Sequence, residues 1–268
     1  MKKDLAHISP YISSDVGVCR PNNEDNFLID KQINEASVAV VNVCFSPIVN
    51  DAVWYCFGVF DGMGGGEYGE LASLFAAQEF QRLSLLGSLS SGDIDSLARL
   101  GFQNANRRIV EQQAYSSMYG TTGTVVFTNG VQFKIYHLGD SRAYLLRDNS
   151  LFQLTKDQTV ATQKIEAGIY GDDAPQAQYE KHQLIEYIGC DTSLANLKPI
   201  ESQWIDIQAD DMILLCSDGL YDMCTDAEIS SIMLEDHNAE NVTRRLVEQA
   251  VYNGGEDNVT CLIIKYKR

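Results

Sequence analysis

Hydrophobic positions along this chain either alternate with polar ones or run unbroken in a series of short stretches. These predict β-strands near residues 11–19, 26–31, 37–45, 52–60, 121–128, 131–138, 142–147, 151–154, 202–207, 211–216 and 259–266. Asn129-Gly130 lies between two of them, and both residues tolerate the positive φ of a type I′ turn, so a hairpin is expected there. Asp148-Asn149 plays a similar part between the next two. Helical spacing runs over about 67–86, with Leu71, Leu74 and Phe75, and over about 94–115, with Leu97, Leu100, Ala105 and Ile109. It returns over about 226–234 and 239–252. Thr225 is an N-cap, with Glu228 three residues on completing a capping box. The stretch 165–197 fits neither period; it holds Gly168, Gly171-Asp172-Asp173 and Pro175 and reads as a surface excursion. Many strands with helices inserted in pairs predict a layered α+β architecture, two packed antiparallel sheets covered by helices.

The polar punctuation of these runs is acidic. Trp54 to Phe60 leads into Asp61-Gly62, and Met212 to Cys216 leads almost directly into Asp218-Gly219. Conversely, Glu24-Asp25 opens the run from Asn26, and Asp257-Asn258 opens the run from Val259. Strands ending in a carboxylate, laid antiparallel to strands starting with one, bring all four clusters to one rim. So many carboxylates in one place repel, and a hard divalent cation such as Mg²⁺ or Mn²⁺ resolves this with oxygen ligands. The chain therefore reads as a metal-dependent enzyme.

Composition narrows the field. The chain has 268 residues, 45% hydrophobic and 21% charged, which suffices for a substantial core and argues against disorder. Its 20 basic and 37 acidic residues give a net charge of −17, a surface that repels nucleic acid. The cysteines (19, 44, 56, 190, 216, 224 and 261) are odd in number and form no C-x-x-C pair. Most sit in apolar runs as small hydrophobes, and reduced thiols in a cytoplasmic protein are expected. Residues 1–10 lack the apolar core of a signal peptide, and the most apolar stretch, 37–49, is too short to span a bilayer.

Individual motifs add chemistry. Asp61 can offer its carboxylate to two cations, and glycine at 62 lets a backbone carbonyl approach a metal, although Asp-Gly is also a common turn. Asp222 lies one helical turn past Asp218 if a helix starts there; alone it also reads as a solvated loop acid. Gly139-Asp140-Ser141-Arg142 joins two strands and alone is a turn. Arg20, four residues before Glu24, suits bidentate capture of a phosphate; its other reading is an ion pair with Glu24 or Asp25.

Together these segments resemble the metal-dependent (type 2C, PPM) serine/threonine protein phosphatases. The ordered match covers roughly residues 11–266. It comprises Ser14-Asp15-Val16-Gly17 with Arg20 and Asn23-Glu24-Asp25, then Asp61-Gly62-Met63-Gly64-Gly65, Gly120-Thr121-Thr122 and Gly139-Asp140-Ser141-Arg142. Leu154-Thr155 with Asp157, Ser217-Asp218-Gly219-Leu220 and Asp257-Asn258-Val259-Thr260 complete it. The resemblance implies one domain over 1–268, a four-layer αββα sandwich, and a binuclear Mg²⁺/Mn²⁺ centre at the rims of its two sheets. By it, Asp61 bridges both metals, the Gly62 carbonyl binds one, and Glu24, Asp218 and Asp257 hold the other. Asp25 orients metal-bound water, Arg20 grips the phosphoryl oxygens, and Asn258 supports the ligands from behind. A third metal of bacterial members would fall to Asp140, Asp218 and Asp222.

The implied chemistry is hydrolysis of phosphoserine and phosphothreonine by a water bridging two cations about 3.5–4 Å apart, with no covalent phosphoenzyme. Substrates would be proteins phosphorylated by a bacterial serine/threonine kinase. Met63 stands where many eukaryotic relatives carry a histidine general acid, and Gly66 where bacterial relatives often have histidine. In the excursion, Asp157-Gln158-Thr159 and Ile185-Glu186-Tyr187-Ile188-Gly189 replace the family's D-H-S and T-R-A-L-G, placing Glu186 where arginine is common. The excursion is expected to be a mobile flap that selects protein substrates. The alternative is a catalytically silent regulatory module on the same fold, but such a module should have lost metal carboxylates, and Glu24, Asp61, Asp218 and Asp257 are all present.

Overall fold

The computed structural model describes residues 6–35, 40–44, 54–64, 68–85, 91–113, 119–190, 197–236 and 238–267. Parts of the expected elements at 37–39, 45, 52–53, 67, 86 and 114–115 lie outside the described residues, as do Gly65 and Gly66. The first strands are β1 (His7–Asp15), β2 (Asn26–Ile29), β3 (Gln32–Ile33), β4 (Val40–Cys44), β5 (Tyr55–Phe60) and β6 (Gly62–Met63). Two long helices follow, α1 (Gly69–Leu85) and α2 (Ser91–Gln113). Next come β7 (Gly120–Thr121), β8 (Gly123–Thr128), β9 (Gln132–Leu138), β10 (Arg142–Arg147) and β11 (Ser150–Gln153). The excursion carries α3 (Val160–Glu166) and α4 (Pro175–Glu180). The chain ends with β12 (Ile200–Glu201), β13 (Ile205–Asp206), β14 (Met212–Cys216), α5 (Asp218–Tyr221), α6 (Asp226–Glu235), α7 (Ala239–Tyr252) and β15 (Val259–Lys267).

Among the described residues two large antiparallel sheets form, one ordered β11-β10-β14-β15-β1-β4 and the other β12-β9-β8-β5-β2-β3, with β13 also on β9, and β6 pairs β7 in a small third. Strand alternation decides the layers. In β14, Ile213 and Leu215 face the space between the sheets and meet Phe57, Val59 and Val126 there. Met212, Leu214 and Cys216 face outward and pack under α5, α6 and α7, against Leu220, Ile229, Val242 and Leu246. On the second sheet, Cys56, Phe60, Val125 and Tyr136 pack under α1 and α2, against Ala72, Phe80, Ile94 and Phe102. Helix, sheet, sheet, helix is the αββα sandwich, an α+β fold.

Differences from the sequence pattern have local causes. The strand expected at 11–19 runs from His7 to Asp15 instead. Asp15 Oδ1 accepts the Gly17 N–H at 2.8 Å, Gly17 has φ +76°, and the chain turns away, leaving Val18 67% exposed. The 121–128 stretch divides at Thr122, with β7 pairing β6 and β8 staying in its sheet. The strand expected at 202–207 shortens to β13, with β12 formed just ahead of it, both pairing β9. The Asn129-Gly130 hairpin forms, but only Gly130 has positive φ; Asn129 Oδ1 accepts the N–H groups of Val131 and Gln132, which widens the loop. Asp148 and Asn149 both take positive φ, at 50° and 59°. The Thr225–Glu228 capping box is present. The excursion is more regular than its composition suggests: Lys164 and Tyr170 both bind Glu180, joining α3 to α4. Cys19, Cys56, Cys190, Cys216, Cys224 and Cys261 are in no disulfide, and Cys19 is exposed.

Candidate metal centre

Strand register builds the centre. Asn26 pairs with Phe60, so Asp25, just before β2, stands opposite Asp61, just after β5. In the other sheet Cys216 pairs with Cys261, which brings Asp218 and Asp257 to the matching rim. These rims open on a cavity of about 460 Å³ lined by Arg20, Glu24, Asp61, Gly62, Asp140, Asp218, Asp222 and Asp257. Met63, Gly64, Thr122, His182, Leu184, Gly219, Met223 and Glu256 complete its wall. Asp25 and Asn258 lie beneath it, 3% and 5% exposed.

Neighbours fix the backbone and side chains that carry these carboxylates. Asp61 donates its N–H to Thr122 Oγ1 at 2.9 Å, and its carbonyl accepts from the Thr121 hydroxyl and the Thr122 N–H. Thr122 Oγ1 also lies 2.6 Å from Ser141 Oγ, tying Asp61 to the turn that carries Asp140. Ser217 caps α5 and donates its hydroxyl to Asp25 Oδ2 at 2.7 Å, joining the two sheets across the rim. Asp25 Oδ1 is buried with no hydrogen-bond partner. Asn258 Oδ1 accepts the Glu24 N–H at 2.7 Å, while its Nδ2 donates to the carbonyls of Val16 and Asn22, both at 2.9 Å. It thereby holds the loop that presents Arg20 and Glu24. Glycine is required at 62, where a Cβ would lie 2.2 Å from the Gly69 carbonyl oxygen and 2.6 Å from that of Glu24.

Arg20 binds neither partner that its spacing suggested. Its Nη2 lies 2.6 Å from Asp257 Oδ2, at the cavity mouth, with about half of the side chain exposed. Asp222 accepts Lys181 Nζ at 2.7 Å. The sequence reading passes over His182, which places Nδ1 3.4 Å from Asp218 Oδ2 and Nε2 3.3 Å from Asp222 Oδ2. Its signal was residue type alone, in a segment whose pattern gives no placement. Arg142 is structural: it holds Asp157 through Nε and Nη2 and stacks 3.6 Å over the Tyr221 ring. Glu186 is exposed and does not line the cavity.

The electrostatics all lean one way. Burial, with Asp218, Asp25, Asp140 and Asp257 nearby, holds the Asp61 carboxyl well above its usual range. Burial and Asp218 do the same to Asp140. Asp25 is pushed up to about 7 by burial, against the Thr260 and Ser217 hydroxyls. Glu24, Asp222 and Asp257 also shift upward, chiefly by burial, with Arg20 opposing at Glu24 and Asp257 and Lys181 opposing at Asp222. Such carboxylates are costly as bare anions. Hard oxygen donors, an orphaned buried oxygen and a glycine-cleared carbonyl are what a divalent cation centre requires.

The family model for Protein phosphatase 2C matches residues 15–164 and 199–259. The chain belongs to that family, a bacterial PPM-type serine/threonine protein phosphatase, and the family is Mn²⁺- or Mg²⁺-dependent. Among its relatives is the serine/threonine phosphatase stp of Listeria welshimeri serovar 6b, 28% identical over 212 residues, 77% of this chain and 82% of that one. The serine/threonine protein phosphatase PstP of Mycobacterium tuberculosis is 29% identical over 254 residues, 93% of this chain but 43% of that longer one. A crystal structure of that phosphatase superposes with a TM-score of 0.79 at 27% identity, covering 98% of this chain and 100% of the solved one. The catalytic domain of PstP in complex with two manganese ions gives 0.76 at 28% identity, covering 98% and 100%.

Proposed function

We propose that this chain is one catalytic domain that hydrolyses phosphoserine and phosphothreonine in proteins, by direct attack of a water held between two divalent cations. The carrying observation is the convergence of Glu24, Asp61, Asp218 and Asp257 on one cavity with the orphaned Asp25 Oδ1 beneath it. Asp61, the Gly62 carbonyl, Glu24, Asp218 and Asp257 would hold the two ions, and a third would fall to Asp140 and Asp218, with Asp222 beside them. Bound Mn²⁺ or Mg²⁺ would supply an acidified, aimed water and offset charge on the phosphoryl oxygens.

The protein's own groups do the rest. Asp25 is buried at the rim with Oδ2 pinned by Ser217 and Oδ1 without a hydrogen-bond partner, so Oδ1 would orient a water by accepting its hydrogen bond. Arg20, half-exposed at the mouth and held there by Asp257, would grip the phosphoryl oxygens. Met63 brings no proton, so the leaving alkoxide takes one from solvent. Substrates of a bacterial serine/threonine kinase are the natural partners, and the cytoplasm the natural compartment. Among the described residues no helix is long and apolar enough to cross a membrane. The test is hydrolysis of an aryl phosphate, a phosphothreonine peptide and a phosphodiester with Mn²⁺: the first two should react, and a diester preferred over both would contradict the reading.

Arg20→Ala should lower kcat/KM and weaken inhibition by free phosphate, with the melting temperature little changed, because an exposed ion pair contributes only about 0–1 kcal/mol. A purely structural Arg20 would instead leave the kinetics intact. Glu186→Arg should change turnover of the peptide and not of the aryl phosphate, since Glu186 is exposed on the segment beside the cavity. Equal changes on both would place it in support of the catalytic centre.

A further inference from the structure

The segment between α3 and residue 190 reaches the cavity with its own donors. It is fastened at two points, by bridges from Thr159 to Leu184 and from Thr121 to Ile188. Just before Leu184, Lys181 takes Asp222, and the next residue, His182, turns both ring nitrogens toward carboxylates. Those contacts, 3.4 and 3.3 Å, are longer than charge-assisted hydrogen bonds. A His182 nitrogen and one oxygen each of Asp140 and Asp218 lie within 4.8 Å of one another. Ligands about 2.0–2.2 Å from one ion lie at most about 4.4 Å apart, so a small closing movement completes a shared site. Asp140 is 5% exposed, and among the described residues no side chain donates a hydrogen bond to its carboxylate. A buried carboxylate that no side-chain donor holds, crowded by Asp218, suits a cation.

We infer that His182 supplies a nitrogen ligand to a third divalent cation held with Asp140 and Asp218, and that this ion clips the 160–190 segment to the catalytic cavity. The inference rests on the metal-dependent reading above and deepens it. Asp222, already neutralised by Lys181, then serves as the anchor that brings His182 into place, and not as a ligand. The chemistry of this position differs from that of its neighbours. Oxygen-only sets suit Mg²⁺ and Mn²⁺, whereas imidazole favours Ni²⁺, Cu²⁺ and Zn²⁺. The third position should therefore prefer a borderline metal while the other two hold a hard one, and its occupancy should order the segment.

The test is equilibrium dialysis of the full chain against Ni²⁺ in saturating Mg²⁺. Wild type should bind one Ni²⁺ per chain tightly, and His182→Ala should weaken that binding by about 10²-fold or more, at or beyond the loss typical of disturbed ligand support. His182 is half-exposed, so the variant should fold. His182→Asp should rebuild an oxygen site that takes Mn²⁺ and loses the Ni²⁺ preference. One equivalent of Cu²⁺ should show imidazole nitrogen coupling in its electron paramagnetic spectrum, lost in His182→Ala and kept in His7→Ala. Ni²⁺ binding or nitrogen coupling unchanged in His182→Ala overturns the inference. Hydrolysis of an aryl phosphate by Mn²⁺-loaded wild type is measured alongside. If hydrolysis fails, the functional reading fails; if it persists while Ni²⁺ binding ignores His182, only this inference fails.

Discussion

Asp61→Asn is expected to lower kcat by at least about 10²-fold with Mn²⁺ present, since several kcal/mol of charge stabilisation depend on the metals it would hold. The same change should stabilise the metal-free protein at neutral pH. Asp61 and Asp25 have carboxyl groups whose pKa is raised by folding. The folded state then binds more protons than the unfolded state between the two pKa values, so stability falls as pH rises through that interval. For Asp25 the interval runs from 3.8 to about 7. Above it the folded chain carries the full cost of its crowded anions, and below it that cost is gone. Asparagine at 61 removes one of these anions at every pH. In chelator, Asp61→Asn should melt above wild type at pH 8, and the gap should close toward pH 4. Added Mn²⁺ should reverse the order. A gap that does not vary with pH would show that the carboxylates are not strained by one another.

Gly62→Ala should be nearly as damaging to turnover, for a steric reason. The added methyl would meet two backbone carbonyl oxygens, those of Gly69 at the start of α1 and of Glu24. Neither can yield as a flexible side chain would. The rim must spread, and displacement of about 1 Å near reacting groups can cost about 10²-fold. Overpacking of this kind also costs about 1–3 kcal/mol of stability. The expected outcome is a folded protein with a lowered melting temperature and kcat reduced by about 10²-fold. Wild-type kinetics from Gly62→Ala would mean that the carbonyl at 62 plays no part in the centre.

Legibility in the sequence followed the strand boundaries. Each acidic pair sits where an apolar run ends or begins, so antiparallel pairing alone carries Asp25 to Asp61 and Asp218 to Asp257. The layering was equally legible, because β14 offers alternate residues to two different cores. Legibility failed where backbone conformation outweighs pattern. Val16 and Val18 continue the alternation of β1, yet Gly17 at positive φ turns the chain, and that turn is what presents Arg20. It failed again where placement comes from distant packing. Ser217 and Asp25 are far apart in sequence, and their hydrogen bond follows only from both sheets being stacked. His182 is the strongest case: no period marks its segment, and the bridges at Leu184 and Ile188, with the Lys181–Asp222 ion pair, set it beside Asp218.

The most direct test of the account is a metal titration of chelator-stripped protein, with aryl phosphate hydrolysis followed at each step. No turnover is expected in chelator, with recovery as Mn²⁺ or Mg²⁺ is added and loss of that recovery in Asp61→Asn. Full activity in chelator would contradict it.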